Sequence, residues 1–161
     1  MSSTPPSAIG LYLRACLTTV LLCLPATPAF SADWRLSAIR QTHYGTSLAF
    51  LDVSSIQGGG GQVSFAASTY FSRSTARMNR VSARVTASCP AMSYRFDQLI
   101  SFYNQRSLRS WISLPTATAA PNTNIFDEIG SACGNRELGT HVDNPDAFAA
   151  RYFAAHRQRG S

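Results

Sequence analysis

Four consecutive glycines, Gly58 to Gly61, are the residues whose type and spacing first suggest a defined chemistry, the binding of phosphate. The P-loop pattern, however, places a lysine on the phosphates, and the sequence contains no lysine. A dinucleotide fingerprint needs a helix after the glycines, whereas the following QVSFAASTYF has the pattern of a strand. Because glycine adopts positive φ without steric cost, the run predicts a hairpin turn. A loop tip that touches a ligand is the alternative.

The carboxylates and histidines form no catalytic or metal-binding pattern. Asp127 and Glu128 are adjacent, so on a helix their side chains point about 100° apart and do not face each other. The histidines are scattered, and neither a nucleophile-elbow motif nor a zinc-binding spacing is present. Asp52 could act as an acid or base, although a turn hydrogen bond is its simpler role. We therefore predict a protein that is not an enzyme and has no cofactor or metal, with an uncharacterised enzyme as a less favoured alternative.

The amino-terminal segment has the layout of a secretory signal peptide. Arg14 precedes an apolar run, residues 15–24, which is followed by Pro25 and small residues. The run is shorter than the roughly 20 apolar residues that span a bilayer. We expect residues 1–31 to be removed, leaving an exported protein of the periplasm or cell surface with no transmembrane segment in the mature chain.

Export changes the meaning of the four cysteines. Cys16 and Cys23 leave with the signal peptide, whereas Cys89 and Cys133 remain as a pair in an oxidising compartment. A disulfide between Cys89 and Cys133 is the simplest prediction. A metal site or redox pair is the alternative, but no C-x-x-C spacing favours it.

Arginine supplies the positive charge that gives the chain a net charge of +6 at pH 7. The candidate ligand-contacting residues fall in two groups, Arg73, Arg77 and Arg80 in one polar stretch and Arg151 and Arg157 near the carboxyl terminus. Each group is either a solvated surface or a basic patch that meets an anionic surface. Nucleic acid is not expected as a partner, because the chain is exported.

Alternation of apolar and polar residues predicts a series of strands along the mature chain. The segments with this pattern are DWRLSAIR, TSLAFLDV, QVSFAASTYF, VSARVTASC, MSYRFDQLISFY and LRSWIS. The stretch SRSTARMNR, between the third and fourth segments, is expected to be a loop. Asp52, Ser54 and Ser55 are expected to bend the chain after the second segment, because their side chains bond nearby backbone.

A first helix is predicted through IFDEIGSAC, capped by Asn122, Thr123 or Asn124. Ile125, Ile129 and Cys133 recur every four residues, so this stripe is expected to face inward. Asp127 and Glu128 are expected in the first turn, where carboxylates suit the helix dipole.

A second helix is predicted at the carboxyl terminus, with Asn144 as its cap and Pro145 at its first position. Phe148, Tyr152 and Ala155 share one face of this helix. The helix either docks on the domain or offers a basic amphipathic surface to a membrane or partner, and disorder in isolation is a third possibility.

Aromatic and cysteine landmarks follow one another in a recognisable order: Trp34, FLDVSSI at 50–56, Cys89 at a strand end, an aromatic strand, Trp111, a proline-rich loop and a helix ending in Cys133. This succession resembles the surface-adhesin protein E-like family of Gram-negative bacteria over about residues 33–134. The resemblance implies an antiparallel sheet with a packed helix and a disulfide. It also implies binding of host matrix proteins such as vitronectin and laminin, and a possible homodimer.

Together these patterns predict an α+β fold with an antiparallel sheet of about five to six strands, a packed helix, one disulfide and a C-terminal helix. The predicted organisation is a signal peptide at 1–31, an adhesin-like domain at 32–134 and a helical tail at 135–161. The predicted function is an exported, non-enzymatic binding protein, in its specific form an adhesin that contacts host extracellular matrix proteins. A periplasmic, envelope-associated protein with another partner is the alternative.

Overall fold

A computed structural model describes residues 31–42, 45–75 and 78–157 of the chain, and the predicted signal peptide lies almost entirely outside these residues. Within them the chain forms seven strands and two helices. The strands are β1 (Trp34–Thr42), β2 (Gly45–Gly59), β3 (Gln62–Thr75), β4 (Met78–Ser88), β5 (Ser93–Tyr103), β6 (Arg106–Ile112) and β7 (Ala117–Thr118), and the helices are α1 (Asn124–Ala132) and α2 (Pro145–Arg157).

The strands form one antiparallel sheet in which β1 to β6 lie in sequence order and the short β7 adds to β5. Each of the first six strands therefore pairs with its neighbour in the chain. The predicted α+β fold, with its antiparallel sheet, packed helix and C-terminal helix, is confirmed.

The glycine run turns the β2–β3 hairpin, as predicted. Gly60 and Gly61 have φ values of 62° and 89°, and Gly59 pairs with Gln62 across the turn. The β5–β6 hairpin uses Asn104 and Gln105 in the same left-handed region, with φ values of 47° and 67°. These turns keep consecutive strands adjacent.

Helix α1 covers one face of the sheet. Its N-cap is Thr123, whose hydroxyl accepts from the amide of Phe126 at 3.3 Å. The core on this face consists of Leu51, Phe65, Ala67, Val85, Ala87, Ala119 and Ile129. The predicted disulfide between Cys89 and Cys133 is confirmed, and it joins the end of α1 to the end of β4 across a Cα–Cα distance of 5.8 Å.

Helix α2 covers the opposite face. Asn144 caps it, with Oδ1 accepting from the amide of Ala147 at 3.0 Å, as the sequence predicts. The core on this face consists of Leu48, Phe50, Tyr70, Val142 and Ala149, and Phe148 and Tyr152 pack against it. Ala155, which shares a helical face with them, is exposed.

The outer edge of β1 is closed by the segment that precedes α2. The amide of Leu36 donates to the carbonyl of Thr140 at 3.0 Å, and the amide of Val142 donates to the carbonyl of Trp34 at 2.8 Å. The two edges of the sheet therefore differ, since within the described residues β6 pairs with β5 alone.

Two local expectations differ from the structure. The polar stretch expected to be a loop lies largely within β3 and β4, whose strands continue to Thr75 and resume at Met78. Asp52 bonds nearby backbone as predicted, since its Oδ1 accepts from the amide of Ser54 at 3.1 Å, but β2 continues through a register shift to Gly59, beyond the predicted segment. Pairing resumes beyond each polar stretch, with Gln57 opposite Ser64 and Thr75 opposite Met78, so these polar side chains shift the register without ending the strands.

Candidate functional site

The first candidate surface is the outer strand β6 together with its outer edge, which has no strand partner among the described residues and which we call the β6 edge. Every residue of β6 is exposed. Its large apolar side chains are unusually open to solvent, with Leu108 48%, Trp111 37% and Ile112 76% exposed. Because Trp111 pairs with Leu99 and the adjacent Ile112 pairs with Gln98, these two side chains lie on opposite faces of the sheet.

The arginines predicted to contact a ligand lie in different parts of the structure. Arg73 is exposed near the end of β3, and Arg151 is exposed on α2. Arg77 lies outside the described residues, and Arg157 ends α2 with a side chain that is not described. Among the arginines whose side chains are described, β6 adds Arg106 and Arg109, both exposed, which the sequence analysis did not single out.

Arg80 has an internal role. Its Nη1 donates to Asp146 of α2 at 3.0 Å, and its guanidinium carbon lies 4.0 Å from the ring centre of Phe102. Its side chain lines a hollow of about 390 Å³ between β4 and α2. The guanidinium thus holds α2 on the sheet, and its charge is already matched by a carboxylate.

The second candidate surface is a cleft between α1 and the sheet, which we call the α1 cleft, with a volume of about 330 Å³. Its walls consist of Ala67, Thr69, Phe71, Val81, Ala83, Phe96, Leu99, Thr123, Asn124, Ile125 and Glu128. Most of the sheet residues among these are only half-buried, so the cleft opens to solvent. It lies at the lower end of the size range of small-molecule pockets.

Glu128 is the most unusual residue of the α1 cleft. The residue is 4% exposed, and its Oε1 has no hydrogen-bond partner in the described part of the chain. Burial, reinforced by the neighbouring charge of Asp127, raises the pKa of Glu128 from 4.5 to about 8. The carboxyl group is therefore mostly protonated at neutral pH, when a surface glutamate is ionised.

Asp127 is equally buried but fully paired. Its carboxylate accepts from Arg40 of β1, with Nε at 2.9 Å, and from Arg136 beyond α1. The two adjacent acids thus have opposite environments, one matched by two guanidinium groups and the other among apolar side chains.

The sequence analysis placed Glu128 with Asp127 in the first turn of α1 and did not predict its burial; of the two, the structure has Asp127 alone in that turn. A usable signal was present, because Glu128 follows Ile125 by three positions and Asn124 by four. Residues at these spacings share a helix face. A carboxylate on the apolar stripe of a short helix therefore predicts burial.

Within residues 31–42, 45–75 and 78–157, no group of three or more His, Cys, Asp or Glu side chains is arranged to hold a metal ion. No helix in this part of the chain is long and apolar enough to cross a membrane.

Comparisons of the chain with protein-family models, with curated proteins and with solved structures gave no match. The geometry of the β6 edge and the α1 cleft is therefore the basis for a functional assignment.

Proposed function

We propose that the protein is an exported, non-enzymatic binding protein that contacts a protein partner through the β6 edge. Two features of β6 together support this proposal. Its outer edge has no partner among the described residues, and three of its apolar side chains, Leu108, Trp111 and Ile112, are exposed. Aromatic and aliphatic anchors of this kind are what protein interfaces bury.

The backbone of an edge strand supports this role. An outer strand presents a row of N–H and C=O groups, and an extended segment of another chain can pair with them. The opposite edge lacks this opportunity near Leu36, where the segment before α2 already bonds β1. Exposed Arg106 and Arg109 restrict non-specific pairing at the β6 edge, since charged side chains on an edge oppose aggregation.

The partner class follows from the resemblance to the protein E-like adhesins together with the basic charge. Without Arg14, which leaves with the predicted signal peptide, 13 arginines and eight acidic residues give the mature chain a net charge of +5 (13 − 8), which attracts acidic surfaces. Arg106 and Arg109 place part of that charge beside the apolar anchors. Host matrix proteins such as vitronectin and laminin are the specific candidates. A partner within the bacterial envelope is the alternative, and the two differ in where the protein must be displayed.

Binding of the purified, disulfide-bonded protein to immobilised vitronectin and laminin tests the proposal. The double variant Trp111→Ser with Ile112→Ser should weaken binding at least about tenfold, as expected when buried anchors are lost. Ile39→Ser is the matched control, because Ile39 is 46% exposed on β1 at the other edge of the sheet. Equal binding by both variants would exclude the β6 edge, and absence of binding by the native protein would exclude the matrix-protein form.

Trypsin treatment of intact cells distinguishes the two locations. The exposed Arg106 and Arg109 are cleavage sites on β6, and Arg73 is another on β3. Release of peptides from intact cells supports surface display and hence the adhesin. Cleavage only after the outer membrane is opened would place the protein in the periplasm and favour the envelope partner.

A further inference from the structure

Two residues that line the α1 cleft each have a buried oxygen atom without a hydrogen-bond partner among the described residues. These atoms are Oε1 of Glu128 and Oδ1 of Asn124. The two residues are four positions apart and therefore share a face of α1. The other side-chain atom of Asn124 is already engaged, since Nδ2 donates to the hydroxyl of Ser47 at 3.1 Å, which leaves Oδ1 as an acceptor.

The other described residues that line the cleft include no cation. Its sheet walls come from β3, β4 and β5 and carry apolar side chains and one threonine, Thr69. Arg40 and Arg136 are both bonded to the neighbouring Asp127. An unsatisfied polar group in such a place is costly, so a ligand that supplies donors gains the free energy of satisfying it.

We propose that the α1 cleft binds a small apolar primary amine, whose ammonium group donates hydrogen bonds to Glu128 and Asn124 while its hydrocarbon part packs on the sheet walls. This proposal is independent of the β6 edge. An ammonium group offers three donors and a positive charge, which matches two acceptors and a carboxyl group. An anionic ligand is disfavoured, because no cation is among the described residues that line the cleft.

Proton release gives the proposed site a characteristic pH dependence. Glu128 must lose its proton to pair with an ammonium ion, and its pKa of about 8 means that this proton is present at neutral pH. The amine itself stays charged up to its own pKa, near 10 for an alkylamine. Amine affinity should therefore increase by close to tenfold from about pH 6 to about pH 7 and more slowly above that.

The probe is 2-phenylethylamine, and 2-phenylethanol is its uncharged counterpart of similar shape. Binding is followed by NMR through the methyl resonances of Val81, Ala83 and Leu99, which line the cleft. We expect the amine to bind more tightly than the alcohol at about pH 8, and only the amine to show the pH dependence. Equal affinity for both probes, or no shift of these methyl groups at millimolar amine, would overturn the proposal.

Two variants test the residues directly. Glu128→Gln should weaken amine binding at about pH 8 by at least about tenfold and remove its pH dependence, while binding of the alcohol is unchanged. Ala83→Leu places a larger side chain of β4 in the cleft and should block binding of both probes. Loss of binding in this variant shows that the probes bind in the cleft and not elsewhere on the protein. Glu137→Gln, at an exposed position after α1, is the control for loss of one negative charge. An unchanged amine affinity in Glu128→Gln would contradict the proposal.

Discussion

Nδ1 of His141 lies 2.8 Å from Oδ1 of Asp33, although the two residues are 108 positions apart in the chain. The second ring nitrogen, Nε2, lies 2.9 Å from Oδ1 of Asp143. His141 also forms a backbone bridge with Arg35. One imidazole ring therefore links the segment before α2 to the start of β1.

The hydrogen bond to Asp33, and secondly that to Asp143, raises the pKa of His141 above 6.5. A histidine whose pKa is raised in the folded state contributes stability that is complete below the unfolded pKa and is lost as pH rises through the folded pKa. An NMR titration of the ring should therefore give a midpoint above 6.5, and Asp33→Asn should lower it more than Asp143→Asn does. A native midpoint at or below 6.5 would contradict the Asp33 contact.

Glu128 should make the protein less stable as the solution becomes more alkaline. Its pKa is raised from 4.5 to about 8, so between these values the folded state binds a proton that the unfolded state has lost. The free energy of unfolding should then fall with rising pH, by up to about 1.4 kcal/mol per unit from this group. Urea unfolding over this pH range should show a smaller slope for Glu128→Gln than for the native protein.

The difference in slope between the native protein and Glu128→Gln reports on Glu128 alone, because Asp127, Arg40 and Arg136 are the same in both proteins. Glu137→Gln, at an exposed position, should leave the slope unchanged. Identical slopes for the native protein and Glu128→Gln would mean that the buried carboxyl is ionised near its ordinary pKa.

Loss of the disulfide should cost a large part of the folding free energy. The bond joins residues 44 positions apart, and chain-entropy arguments give about 4 kcal/mol for a loop of this length. Replacing Cys89 and Cys133 together by alanine should lower the free energy of unfolding in guanidinium by about this amount. Addition of a reductant should reproduce the loss in the native protein and have no effect on the double variant.

The two glycines Gly58 and Gly60 should differ in their tolerance of a side chain. At Gly58, with φ of 130°, an added Cβ would lie 2.4 Å from the carbonyl oxygen of Gln62. At Gly60, with φ of 62°, an added Cβ meets nothing within 4 Å. Gly58→Ala should therefore lower the free energy of unfolding by about 1–3 kcal/mol, whereas Gly60→Asn should cost under about 1 kcal/mol, because asparagine tolerates the left-handed region. Thermal unfolding with equal losses at both positions would argue against this turn geometry.

The strands, turns and helix starts were predictable because their causes are local. Alternation of side chains revealed the strands, and the pair Asn144 and Pro145 fixed the start of α2. The pairing of Cys89 with Cys133 followed from counting the cysteines left after export. The strands and the helix start were predictable from a few neighbouring residues, and the disulfide was predictable because only two cysteines remain after export.

The candidate site was predicted less well, because its properties depend on contacts between distant segments. Arg80 was expected at the surface, but its partner Asp146 lies 66 positions away. Nothing local to β6 indicated that it would be an outer strand, since that follows from the order of the whole sheet. The burial of Glu128 likewise arises from the way α1 packs over β1, β2 and β3.

The sequential strand order also governs how the chain can fold while it is being made. Each strand from β2 to β6 finds its partner in the segment synthesised immediately before it, so pairing needs only short loop closures, and these are fast. The bonds that cover the outer side of β1 come from Thr140 and Val142, which are synthesised about a hundred residues later. In a growing or truncated chain, the sheet therefore has an unpaired strand at each edge. The β1 edge becomes unavailable to other chains only when the segment with Thr140 and Val142 pairs with it.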